Sequence, residues 1–98
     1  MAGPGYGYVF FKNQTGATTS LSISIAGTRM AFITNATTYP TTMFLQLKGP
    51  SGAFININAA TITADGMTVY DLPGGSYQVT CAGGAPAGVY ASLISVPY

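Results

Sequence analysis

The residues able to do acid–base chemistry are few. The chain holds two carboxylates, Asp65 and Asp71, two lysines, Lys12 and Lys48, one arginine, Arg29, seven tyrosines, one thiol and no histidine. General acid–base catalysis needs titratable groups held near one another. Asp65 and Asp71 are the one pair that could resemble the two carboxylates of a glycoside hydrolase, if they converged. Asp65 precedes Gly66 in what reads as a tight turn, and Asp71 precedes Leu72-Pro73. Turn chemistry and a solvated charge account for both, so no catalytic residue is expected and the chain reads as a non-enzyme. Two acids are too few for a calcium site within one chain. Cys81 has no second cysteine to pair with and no histidine to activate it. Its phase with Tyr77 and Val79 predicts a buried thiol. No cofactor and no metal are expected. Gly74-Gly75 and Gly83-Gly84 lack the following lysine and helix of a phosphate loop. Asn13-Gln14-Thr15 and Asn35-Ala36-Thr37 match the glycosylation pattern, as chance matches in a Thr-rich chain.

Aromatic residues offer binding rather than catalysis. Tyr6, Tyr8, Phe10 and Phe11 crowd one end of the sequence and Tyr98 closes it. Tyrosine suits interfaces because it buries area while keeping a polar tip. Tyr6, Tyr8, Phe10 and Tyr98 are therefore the candidate protein-contact residues. The competing expectation is that Tyr8 and Phe10 complete the domain's own core. A sugar-binding aromatic platform is a third reading of the same residues.

The elements that must position these residues are strands. Of 98 residues, 48% are hydrophobic and 5% charged, against about 25% charged in an average soluble domain. Thr, Ile, Val, Tyr and Phe are abundant, which separates the chain from disordered sequences. No window sustains helical apolar spacing. Thr18 to Ile25 alternates, with Leu21, Ile23 and Ile25 expected on one buried face, and Arg29 to Thr34 expected to return beside it as a hairpin. Further strands are expected at Tyr6 to Phe11, Thr42 to Lys48, Ala53 to Asn58, Thr61 to Thr63, Met67 to Leu72, Ser76 to Cys81 and Val89 to Val96. The last carries apolar residues on both faces, so it should lie centrally or against a partner. Ala82 to Gly88 reads as a mobile loop. The spacing of turns predicts an all-β fold: a single-domain antiparallel β-sandwich or jelly-roll-like barrel of about eight short strands. One domain spans residues 1–98, with 1–5 a flexible arm.

The net charge of +1 and the absence of a Lys/Arg cluster exclude electrostatic capture of nucleic acid. No run approaches the ~20 apolar residues of a membrane span. The start has no secretory pattern, so synthesis in a host cytoplasm without a signal peptide is expected. A surface with so little charge risks self-association in a lone monomer, which points to a subunit covered by neighbours.

The run Thr68-Val69-Tyr70-Asp71-Leu72-Pro73-Gly74-Gly75-Ser76-Tyr77-Gln78-Val79 resembles the strand, Leu-Pro-x-Gly-x-Tyr, strand element of β-sandwich domains. With the closing run Val89 to Pro97, it is similar to small virion proteins of tailed bacteriophages, of the capsid decoration or cement type. The resemblance implies a structural protein that binds the outside of a phage head as a homotrimer, located in the virion, with the major capsid protein as partner. It carries over no contact residue. The alternatives are another virion part, such as a tail, collar or fibre module, and a carbohydrate-binding β-sandwich.

Overall fold

The computed structural model describes residues 7–96. The expected arm at 1–5 lies outside them. Nine strands are described: β1 (Gly7–Gln14), β2 (Thr18–Thr19), β3 (Ile23–Ile25), β4 (Thr28–Asn35), β5 (Thr42–Lys48), β6 (Phe54–Asn56), β7 (Gly66–Leu72), β8 (Gly75–Ala82) and β9 (Val89–Ser95). They form two antiparallel sheets. Sheet A has the order β1–β9–β4–β7, and sheet B the order β2–β8–β5–β6, with β3 also on β8. The shortest extent of the molecule, 21 Å, is that of two stacked sheets.

The wiring is that of a jelly roll. Strands β2 and β3 lie along the same partner, β8, as two halves of one broken strand. Counted as one, they leave two four-stranded sheets. Among the described residues, only the β5–β6 hairpin stays within a sheet; every other connection crosses between the two. Eight antiparallel strands in two such sheets are the jelly-roll form of a sandwich.

Between the sheets lies one core. Its fully buried side chains include Met30, Val89 and Leu93 from sheet A and Met43, Leu45, Tyr77 and Val79 from sheet B. Burying each large apolar side chain is worth about 1.5–3 kcal/mol. The inward phase of Tyr77, Val79 and Cys81 on β8 is as the sequence predicts. Tyr77 also donates its hydroxyl proton to the carbonyl of Pro73, which ties β8 to the turn that feeds it.

Three expectations fail for local reasons. Leu21 does not share a buried face with Ile23 and Ile25; it is 88% exposed. Between the pairs Thr19–Thr80 and Ile23–Tyr77 there are three residues on one strand and two on the other. That is a β-bulge, and it shifts the phase. Ser20 turns inward instead. Its hydroxyl oxygen accepts the Val79 N–H at 2.9 Å, replacing a ladder bond. Second, Arg29 to Thr34 does not form a hairpin with Thr18 to Ile25. The turn at Ala26-Gly27 crosses from sheet B to sheet A, beside the equivalent crossing at Pro73-Gly74. A side chain on Gly27 would put its Cβ 2.9 Å from the Gly74 nitrogen, so only glycine lets the two crossings touch. Third, Thr61 to Thr63 is not a strand. The side chains of Asn58 and Thr61 serve β5 in its place. Asn58 Oδ1 accepts from Leu45 N–H and Thr61 Oγ1 from Met43 N–H, both at 2.8 Å.

The loop after β8, expected to be mobile, is held in several places. Gly83 C=O accepts from Thr41 N–H, Pro86 C=O accepts from Gly16 N–H, and Ala87 pairs with Thr38.

Candidate functional site

The two carboxylates do not meet. Asp65 precedes β7 and Asp71 lies near its far end, about 20 Å apart at ~3.3 Å per residue. Asp65 is a clasp: its Oδ1 accepts the Tyr39 hydroxyl at 2.6 Å and the Ala36 N–H at 3.0 Å. The segment entering β7 is thereby tied to the β4–β5 loop. The Tyr39 hydroxyl, and then the Ala36 N–H, hold the Asp65 carboxyl below its usual range. Burial first, then Asp65, raise Tyr39 from 10.0 to about 12. Gly66 does not adopt the positive φ of a tight turn; it begins β7. Asp71 pairs with Arg29 at 3.2 Å on the outer side of sheet A.

Cys81 is buried, and burial raises its pKa, which disfavours the thiolate that a nucleophile needs. Among the described residues no group of three His, Cys, Asp or Glu could hold a metal. No described helix is long and apolar enough to cross a membrane.

The aromatic set divides. Tyr6 and Tyr98 lie outside the described residues. Tyr8 is half-buried and packs against the core. Phe10 is 9% exposed and Phe11 is buried too. Adjacent residues on a regular strand face opposite sides. Here β1 gains an extra residue between the pairs Val9–Ser92 and Phe11–Ala91, so both Phe10 and Phe11 turn inward. Phe10 thus fills the domain's own core, and Tyr8, Phe10 and Phe11 form no open platform for a sugar.

The apolar surface lies elsewhere, on the outward face of sheet A. Pairing across all four strands aligns Val9, Ser92, Ile33 and Met67 in one row. The next row aligns Gly7, Ile94, Ala31 and Val69. Val9 and Met67 are 59% and 63% exposed; Val69, Tyr90 and Ile94 are also exposed. Arg29 and Asp71 are paired at one end of this face and Asn35 and Tyr90 at the other. The charged pair therefore sits at the margin, not in the middle.

These residues were not named from sequence as a site. The signal was present in Val89 to Val96, apolar on both faces. In the structure β9 is central in sheet A, with Val89, Ala91 and Leu93 inward and Tyr90 and Ile94 outward. Met67 and Val69 opposite Thr68 and Tyr70 on β7 carry the same two-sided pattern. Val9 could not be placed, because the β1 bulge is not visible in the sequence.

The outward face of sheet B differs. Gln78 Nε2 donates to Gln46 Oε1, and Gln46 Nε2 donates to Asn56 Oδ1, each at 2.8 Å. The three amides bridge β8, β5 and β6. Ser24 stands opposite Ser76, and Thr19 opposite Thr80.

No family model, curated protein or solved structure matches the chain. The functional reading rests on its own surfaces.

Proposed function

We propose that the chain is a structural virion protein of the capsid decoration or cement type, which docks the outward face of sheet A on the major capsid protein. The observation that carries the reading is the two aligned rows across sheet A, built of Val9, Ile33, Met67, Val69 and Ile94 with no charge among them. A face of this kind is stabilised by an apolar, neutral protein surface. Nucleic acid would need clustered cations there; the two described cations of sheet A, Lys12 and Arg29, lie apart on β1 and β4, and Arg29 is paired with Asp71.

Size supports a cement in particular. Four strands ~4.8 Å apart and two rows ~6.7 Å apart cover about 260 Å². A stable interface buries about 800 Å² per partner. One such face binds weakly, and repetition over a symmetric shell turns weak contacts into a durable coat. The jelly roll itself serves capsid domains, lectins and cupins alike, so the reading stands on the surface and the composition. Quantitative mass spectrometry of purified particles tests it. The expected result is a fixed ratio of this chain to the major shell protein; purified virions lacking the chain would refute it.

A further inference from the structure

Every open sheet has edges, and an unguarded edge is a template for another strand. Three of the four edges here are blunted. On β1 there are two register shifts, Lys12, and Asn13 at a φ of 51°. The β2–β3 edge is broken by the bulge at Ser20. Strand β6 has three residues, after which Asn58 and Thr61 side chains take over its role. Strand β7 is different. It runs seven residues in unbroken register with β4, from Thr28–Leu72 to Thr34–Gly66. It contains no lysine, no proline and no bulge, and nearly all of it is exposed.

The hydrogen-bond phase says which groups β7 turns outward. The Val96 N–H donates to the Arg29 carbonyl, so Arg29 faces β9. Alternation then points the backbone groups of Met30, Phe32 and Thr34 at β7, where Tyr70, Thr68 and Gly66 answer them. Met67 and Val69 therefore direct N–H and C=O away from the sheet. Among the described residues no hydrogen bond reaches those outward groups.

We infer that β7 pairs antiparallel with β7 of a second copy, about a two-fold axis at Val69. The parity fits. Val69 meets its own mate as a hydrogen-bonded pair, and Met67 meets the mate's Asp71, all on the outward-bonding set. Thr68 meets the mate's Tyr70 on the inner side, and an aromatic beside a β-branched residue is a favourable cross-strand pair. Asp71 is placed opposite Met67, so the two carboxylates do not face each other. The two sheets A become one eight-stranded sheet, and the Met67–Val69 margins of both outward faces join. An identical strand paired antiparallel with itself closes at two copies, so this edge makes dimers and not the expected trimer. The inference holds or fails independently of the virion reading.

The test is the native mass of the whole chain together with three variants. A hydrogen-bonded antiparallel pair sets its Cα atoms about 5.5 Å apart, within disulfide reach. Val69→Cys should therefore yield a reducible two-chain species on mild oxidation. Met67→Cys should not, because its mates sit about 13 Å apart along the strands. The native Cys81 is buried and does not interfere. Val69→Lys places like charges opposite each other and should weaken association by roughly tenfold or more. The inference is overturned if the native mass is one chain and Val69→Cys stays uncrosslinked. It is equally overturned if both cysteine variants crosslink alike, or if a three-chain mass persists in Val69→Lys. Should Val69→Lys fail to fold, the two cysteine variants decide alone.

Discussion

Across sheet B, Gln78, Gln46 and Asn56 join three strands by their side-chain amides. Across sheet A the comparable rows read Val9, Ser92, Ile33, Met67 and Gly7, Ile94, Ala31, Val69. Both faces look outward from the same core, and neither uses charge in its middle. The amides of sheet B bond one another and remain compatible with water. The apolar side chains of sheet A, Val9, Ile33, Met67, Val69 and Ile94, make no hydrogen bonds to water and gain by being covered, at about 25 cal/mol per Å². A protein almost without charge thus carries an amide-bridged face on one sheet and exposed apolar rows on the other.

The largest effects should come from inside, where the two sheets are alike. Leu93→Ala in sheet A and Leu45→Ala in sheet B should each cost about 2–5 kcal/mol of stability in urea unfolding. A large difference between them would mean that the sheets do not share one core. Next is the amide row. Gln46→Ala leaves the Gln78 and Asn56 amides without their bridge and should cost about 1 kcal/mol, read from the same unfolding midpoint. No loss would show that water replaces the row at no cost.

Smaller still is the clasp of Tyr39 and Asp65, which joins the loops between the sheets. Tyr39 titrates higher when folded, so its contribution is complete below pH 10.0 and is lost as pH rises toward about 12. Asp65 titrates lower when folded, so its contribution is complete above 3.8 and is lost as pH falls through the lowered value. Tyr39→Phe should flatten the alkaline loss of stability; an unchanged pH profile would contradict the clasp. The smallest effect on folding belongs to the outward face of sheet A. Ile94→Lys should change stability by no more than about 0.5 kcal/mol, because Ile94 is 40% exposed on the outward side of β9. A large destabilisation would mean that the face is internal support and not a surface kept for a partner.

Much of this was readable from the residues. Thr42 to Lys48 became β5 with those ends, since alternation and the Gly49-Pro50 turn agree. Val89 to Val96 announced its central place by being apolar on both sides. What could not be read was non-local. Leu21 has the sequence of a buried residue, but a single extra residue in the pairing with β8 turns it outward. Phe10 could be read as a contact or a core residue; it keeps the inward phase of Tyr8, and the bulge in β1 brings Phe11 inward beside it. Ala26-Gly27 reads as a hairpin turn, and its contact with Gly74 shows why it crosses the sandwich instead. The apolar rows on sheet A join strands far apart in sequence, so no one segment of the sequence contains that face.

The most direct test of the central claim is the amount of chain bound per shell protein, compared for the native protein, Ile94→Lys and Gln46→Lys. Docking through sheet A predicts that Ile94→Lys loses binding while Gln46→Lys, on the opposite face, keeps it. Loss of binding by Gln46→Lys with Ile94→Lys unaffected would contradict the account.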